Sequence, residues 1–325
     1  MLKYCIKRIL LAVVILFGVS ALLYVLVRNI DMQVLWQQIP SNAGLDAAAE
    51  YERLKAAYGL DGNIIEGYFS WLGNFLRGDL GTSIKYKQPV EDVIFKNMGV
   101  SFIISLIALV LQLVIAIPLG IKCAVNQYGK LDYVATFLTM IGISFPTFFL
   151  ASIAIKIFAV DLGWFPTQGL ETANMSVNAS GWTRFWDMLW HLILPITVLV
   201  VLSIGSWSRY TRTNTLEVLN ADYIRTARAK GLSERSVVYK HVFRNSLIPL
   251  VTVLAGTLPS LFGGAMITET MFGIPGIGKI AYDAMLAGDV PFIMGYNMFI
   301  AVLTVIGILL TDLMYAVVDP RVKLA

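Results

Sequence analysis

Six stretches of this chain, at about 9–29, 98–121, 134–158, 187–208, 247–270 and 293–317, stay apolar long enough to cross a membrane as helices. A helix rises about 1.5 Å per residue, so roughly 20 apolar residues cover about 30 Å of hydrocarbon. Within that layer each backbone N–H and C=O must find its partner in the protein. The pattern fixes the class as an all-α, polytopic membrane protein with six transmembrane helices. Composition agrees: 57% of the 325 residues are hydrophobic, 14% are charged and the mean hydropathy is +0.72, which no soluble domain needs to fill its core. The first stretch follows Lys3, Lys7 and Arg8, as a secretory signal would. Its apolar run outlasts the roughly 7–15 residues of a signal core, and Val27-Arg28-Asn29 offers no small-residue cleavage site, so it reads as an uncleaved anchor.

Orientation follows from where Lys and Arg gather in short loops. Lys3, Lys7 and Arg8 precede the first span, Lys122 and Lys130 lie between the second and third, and eight Lys or Arg fall between Arg209 and Arg244. With six spans these segments share one side, joined by Arg321 and Lys323, which predicts cytoplasmic N and C termini. Residues 31–97, with nine acidic and six basic side chains, then lie on the opposite face. The chain divides into an anchor at 1–30, an extracytoplasmic segment at 31–97 and a core transmembrane region at 98–325. The net charge of +4 is mostly this topology signal and gives no basis for nucleic-acid binding.

Chemistry-bearing patterns are sparse. Cys5 and Cys123 support neither a disulfide framework nor a thiolate metal site, and His191 and His241 sit on opposite sides of the predicted topology. No metal site, catalytic residue or cofactor is expected in this chain. Gly273-Ile-Pro-Gly-Ile-Gly278-Lys279-Ile280 comes within one residue of a phosphate-binding loop, yet lacks the closing hydroxyl and a preceding strand. It reads instead as a tight re-entrant turn. Asp312, inside the last span, should have a polar partner at that depth. Arg209 and Arg212, at the end of the fourth span, are the candidates, forming a gating or structural ion pair. Lys156, near the end of the third span, is placed to snorkel to the interface.

The segment opposite the basic face predicts a short helix at 46–58 and an aromatic-rich helix over 67–80 lying against the interface, either a folded cap or a docking surface. Pro118, Pro146, Pro195, Pro249 and Pro259 fall within spans, where each removes a hydrogen bond and kinks the helix. No internal repeat of the kind found in many secondary transporters is evident.

The basic loop before the fifth span, about 209–246, has a shape of its own. Leu216, Leu219, Tyr223 and Ala227 fall at helical spacing on one face, flanked by Arg225, Arg228 and Lys230. Gly231 is suited to end that helix in the left-handed conformation, and Ser233 to cap the next. A helix, a glycine turn and a second helix project from the membrane, either as a docking element or as a solvated basic loop.

YIRTARAKGLSE followed by HVFRNSLIP resembles the EAA loop of ATP-binding-cassette (ABC) importer permeases, in the branch that imports dipeptides, oligopeptides and nickel. The resemblance extends through Gly78-Asp-Leu-Gly81-Thr-Ser83, Ile143-Ser-Phe-Pro146, Leu162-Gly-Trp-Phe-Pro166, Leu194-Pro195, Glu269-Thr-Met-Phe272, Pro275-Gly-Ile-Gly278 and Asp319-Pro-Arg321. Where the general motif has Glu-Ala-Ala, this chain has Arg225, Thr226 and Ala227, and the closing proline comes late, at Pro249. The peptide branch shares these departures.

The resemblance implies a type I ABC importer permease fold in the bacterial inner membrane. The implied partners are a second homologous permease, two cytoplasmic ATPases that hold ATP and magnesium, and an extracytoplasmic substrate-binding protein. It further implies that the ATPases grip Tyr223, Arg225, Thr226, Ala227, Arg228, Lys230, Gly231 and Leu232, with Ala227 and Gly231 giving the close fit. Peptides are the expected cargo, with nickel chelates or oligosaccharides as alternatives. A stand-alone secondary transporter would need more intramembrane carboxylates than Asp312. A membrane-embedded enzyme would need a nucleophile or metal constellation.

Overall fold

The computed structural model describes residues 2–29, 48–49, 51–52, 62–173, 175–176 and 178–318. The helix expected at 46–58 lies outside these residues apart from 48–49 and 51–52, as do Arg321 and Lys323. Helices α1 (Leu2–Arg28), α3 (Val90–Val125), α6 (Gly181–Leu219) and α13 (Val290–Val318) are each long and apolar enough to span a membrane. The third and fifth expected spans are broken. Helix α4 (Lys130–Ser144) meets α5 (Thr147–Ala154), with its π-helical extension Ile155–Asp161, at 100°. Helices α8 (Glu234–Ser236) and α9 (Phe243–Gly256), joined by the π-helical turn Val237–Val242, meet α10 (Leu258–Gly263) and α11 (Met266–Met271) at 43°. With each bent pair as one span there are six crossings, at the six apolar stretches.

Proline position separates kinks from breaks. Pro118, Pro195 and Pro249 sit inside continuous helices. Pro146 instead precedes α5 in an extended conformation (φ −61°, ψ 140°), with Phe145 also extended, as steric pressure on the residue before proline favours. The third span is therefore not the kinked helix expected from its composition. Helix α2 (Ile64–Leu76) realises the aromatic helix expected at 67–80 and lies against α1 through buried Tyr68, whose hydroxyl is 2.7 Å from Ser20 Oγ. Lys156 pairs with Asp161 at the end of the third span.

The central packing is α3 against α6. On α3 the buried residues recur every fourth position, at Ile104, Ala108, Gln112, Ala116, Gly120 and Ala124. Small residues at that spacing let helix backbones approach in a membrane, where dispersion and interhelical polar contacts replace the hydrophobic drive of water. A Cβ on Gly120 would fall 2.6 Å from the Ser208 carbonyl oxygen and 2.8 Å from Thr211 Cβ. Gly205 meets Thr139 on α4 as closely, at 2.9 Å.

Two buried carboxylates tie the connections to this frame. Glu269 on α11 is 1% exposed. Its Oε1 accepts from Ser101 Oγ (2.7 Å) and the Ala265 N–H (2.9 Å), and its Oε2 from the Lys279 N–H (3.0 Å). Ser101 accepts in turn from the Ile277 N–H, at the start of α12 (Ile277–Leu286). Cβ atoms added at Gly264, Gly276 and Gly278 would each lie 2.5–2.9 Å from that carboxylate. Gly276 and Gly278 of the phosphate-loop lookalike, with Gly264 of the preceding break, thus make room for a glutamate. Asp289 is fully buried and accepts from Ser83 Oγ (2.5 Å) and the backbone N–H groups of Lys85 (3.1 Å) and Phe292 (3.2 Å).

Glu269→Gln keeps one acceptor but sets an amide N–H against a donor, whereas Glu269→Ala orphans three donors. Each unsatisfied buried group costs about 1–3 kcal/mol, so thermal unfolding of the purified protein should fall with Gln and fall further with Ala. An unchanged midpoint for Glu269→Ala would contradict the role given to this carboxylate.

Candidate coupling site

Helix α6 outlasts its apolar stretch by 209–219, about 16 Å at 1.5 Å per residue, and carries the basic loop at its end. It stops at Asn220, whose side-chain Nδ2 donates to the Leu216 carbonyl (3.0 Å) and whose N–H serves the last turn. Ala221 is extended (φ −72°, ψ 146°), and α7 (Asp222–Ala229) starts with an acidic first turn that suits the helix dipole. The continuous stripe expected from Leu216 through Ala227 is therefore cut in two. The buried face of α7 is Ile224 and Ala227, packed on Val237 and Val242 with Val218 and Leu219 alongside.

The turn is a Schellman motif. Gly231 has φ +76°, its N–H donates to the Arg228 carbonyl (2.9 Å), and the Leu232 N–H reaches the Ala227 carbonyl (3.4 Å). This left-handed residue disfavours any Cβ-bearing side chain except, more mildly, Asn or Asp. Ser233 Oγ accepts from the Ser236 N–H (3.4 Å), capping α8 as its sequence suggested. Arg228 Nε donates to Glu234 Oε1 (2.8 Å), bracing the turn across its two sides.

The expected contact residues divide by exposure. Tyr223 (49% exposed), Arg225, Thr226, Arg228, Lys230, Gly231 and Leu232 (41%) face outward. Ala227 does not: at 6% exposure it belongs to the loop's own core and gives no surface for a close fit. Its smallness admits Val237 and Val242, a use that spacing alone cannot distinguish from a partner's groove. Space beside Gly231 is open, with no atom within 4 Å of an added Cβ. Thr226 Oγ1 donates back to the Asp222 carbonyl (3.0 Å), and Arg225 makes an exposed, long contact to Asp222 (3.6 Å) of little energetic worth. Burial first, then the Glu217 carboxylate, push the Tyr223 phenol above its ordinary pKa, so it remains a neutral hydroxyl.

The ion pair expected between Asp312 and Arg209 or Arg212 is absent. Asp312 Oδ1 pairs with Arg8 on α1 at 3.1 Å, and α1 is one of the helices that pack on α13. Arg212 instead clamps Asp132, at the start of α4, in a two-pronged pair: Nε to Oδ1 at 2.6 Å and Nη2 to Oδ2 at 2.7 Å. Asp132 is 4% exposed and also accepts from the Tyr128 N–H (3.0 Å). Arg209 lies close by, lining a small cavity with Cys123, Thr139 and Arg212. The base of the α6 extension is thus locked to the broken third span. Sequence spacing did not reveal this, because Asp132 looks like any first-turn acid.

A helix–glycine–helix element on a six-crossing bundle agrees with the sequence match. The chain belongs to the family of binding-protein-dependent transport system inner membrane components. That family's model matches residues 116–324, from the middle of α3 onward. The oligopeptide transport system permease protein AppB of Bacillus subtilis (strain 168) is 39% identical over 324 residues, covering 99% of this chain and 100% of that protein. The dipeptide transport system permease protein DppB of Alkalihalophilus pseudofirmus is 32% identical over 335 residues, with 99% and 100% coverage. The protein is a multi-pass inner-membrane permease subunit.

Removing one partner of a fully buried ion pair costs on the order of 3–5 kcal/mol because the other charge is stranded; here that bound applies to stranding Asp132, and stranding Arg212, which is 26% exposed, costs less. Asp132→Leu and Arg212→Leu should each lower the thermal stability of the purified permease, and the double variant should recover part of the loss. Strictly additive losses would show that the two side chains do not act as a pair.

Proposed function

We propose that this permease is one of two homologous pore subunits of an ATP-driven importer of di- and oligopeptides, that its N and C termini are cytoplasmic, and that two ATPases drive it through α7 and the Gly231 turn. The observation that carries the coupling role is the construction of the loop. A helix stiffened on its inner face by Ile224, Ala227, Val237 and Val242 presents Tyr223, Arg225, Arg228, Lys230 and Leu232 outward, at the tip of an extension clamped by Arg212 and Asp132. Such a rigid tip can pass a push to α6 and, through the clamp, to the broken third span. The basic-loop bias supports a cytoplasmic position for the tip, where ATP is available. Peptide as cargo is supported by the oligopeptide and dipeptide transport of the two relatives and favoured over nickel chelates or sugars on that ground. Segment 31–97 then lies on the extracytoplasmic face, where a substrate-binding protein delivers cargo. ATP and magnesium belong to the ATPases, and this subunit contributes no catalytic group.

Gly231 separates two ways the turn could matter. Asn tolerates the left-handed conformation and adds bulk into the open space, whereas Ala adds little bulk and costs about 1–2 kcal/mol of backbone strain. If an ATPase surface closes on the turn, Gly231→Asn should cut binding-protein-stimulated ATP hydrolysis and peptide uptake more than Gly231→Ala. Wild-type uptake in both variants would remove α7 and its turn from the coupling path.

A further inference from the structure

A cavity of about 300 Å³ with a mixed polar and apolar lining opens where α3, α6 and the bent fifth span meet. Ser105 and Gln112 line it from α3, Ser203 and Trp207 from α6, and Thr257 and Ser260 from the bend between α9 and α10. Leu109, Leu199 and Leu261, which also line it, fall near the middle of their apolar stretches, so the cavity lies deep in the hydrocarbon layer. Polar groups at that depth are costly unless they face one another or a wet path.

No Asp, Glu, Lys, Arg or His lines the cavity. What it offers is a mixed, neutral set of hydrogen-bonding groups. Thr257 Oγ1 donates to the Leu254 carbonyl (2.7 Å) and Ser260 Oγ to the Thr257 carbonyl (2.6 Å). Their hydroxyl protons are thereby committed, and oxygen lone pairs are left as acceptors. Gln112 Nε2 donates to the Leu199 carbonyl (3.1 Å), so Oε1 is the end left over. The Trp207 indole supplies a donor only. One wall of the cavity is the Gly264–Ala265 break, whose Ala265 N–H is held by Glu269. The irregular backbone is thus fixed and not free to collapse into the space.

We infer that this cavity is the subunit's share of the transport path, and that it holds the backbone amides of a passing peptide and not its side chains. The inference rests on the peptide-importer reading above. Peptides of different sequence share only the alternation of N–H and C=O, and in a layer without bulk water those groups need partners along the way. A charged wall would select one class of side chain and repel another; an uncharged lining of acceptors, with donors from the Ser105 and Ser203 hydroxyls and the Trp207 indole, does neither. A volume of about 300 Å³ is at the low end for a ligand pocket, which suits one wall of a path completed by a second permease.

The test uses the complete transporter, with its ATPases and binding protein, in vesicles, starting from a Cys5→Ser, Cys123→Ala parent. Ser203→Cys and Ser260→Cys are small changes and should import trialanine within about two-fold of the parent. Attachment of a bulky methanethiosulfonate to either cysteine after assembly, verified by mass, should cut uptake of trialanine and of trilysine alike by about ten-fold or more. The same label on Leu286→Cys, at a site 69% exposed and outside the apolar stretches, should leave uptake unchanged. Uptake that survives verified labelling at Ser203→Cys and Ser260→Cys overturns the assignment. So does failure of both cysteines to label at rest and during turnover, because a path must admit water. If loss occurs for trilysine alone, the backbone claim falls. A parent transporter that imports no peptide would instead refute the importer reading, and the cavity assignment with it.

Discussion

A backbone in hydrocarbon must satisfy its own N–H and C=O groups, and much of this structure follows from how the chain meets that demand where its helices stop. Four spans meet it by being unbroken helices. The fifth is interrupted at Gly264–Ala265, and there a buried glutamate does the work of the missing helical bonds. Glu269 collects two backbone N–H groups and the Ser101 hydroxyl, which in turn accepts a third N–H. The three glycines around it follow from the same need, since a Cβ at any of them would occupy the carboxylate's place. A stable interruption of this kind leaves an irregular wall inside the membrane, and the cavity lies against that wall.

The basic end is organised by charge and by chain reversal. The Arg212–Asp132 clamp ties α6 to α4 just beyond the end of the apolar stretch of α6. Beyond it α7 folds back on the start of the next span through a small apolar core that includes Ala227. The loop is therefore a compact tip, and force applied to its outer face has a defined route into two spans. Arg8 and Asp312 join the first and last helices separately, so α1 and α13 are linked outside that route.

Much of the fold was legible in the sequence because hydrocarbon thickness sets a length that six apolar stretches meet. Gly231 and Ser233 were legible for a similar reason: left-handed backbone and N-capping are local demands with few residue solutions. Partner identities were not. Asp312 announced that it needed a cation, but which helix would stand beside it depends on packing, and Arg8 and Arg212 are equal as symbols in a sequence. Asp132 and Glu269 carry ordinary local signals, a first-turn acid and a residue beside a glycine-rich turn, and only three-dimensional proximity gives them their donors. Ala227 fitted a helical stripe correctly, yet the stripe faces its own chain because Asn220 ends α6 early. The 100° break at Phe145–Pro146 was marked by its proline, though proline alone does not distinguish a kink from a break.

In the proposed function α7 and the Gly231 turn receive the ATPase. Hydrogen exchange of the permease, measured with and without its ATPase subunits, reads that contact. New protection should concentrate on residues 222–232 and fade along α6 toward Arg212. Exchange that stays unchanged across 222–232 while ATPase binding protects another part of the subunit would contradict it.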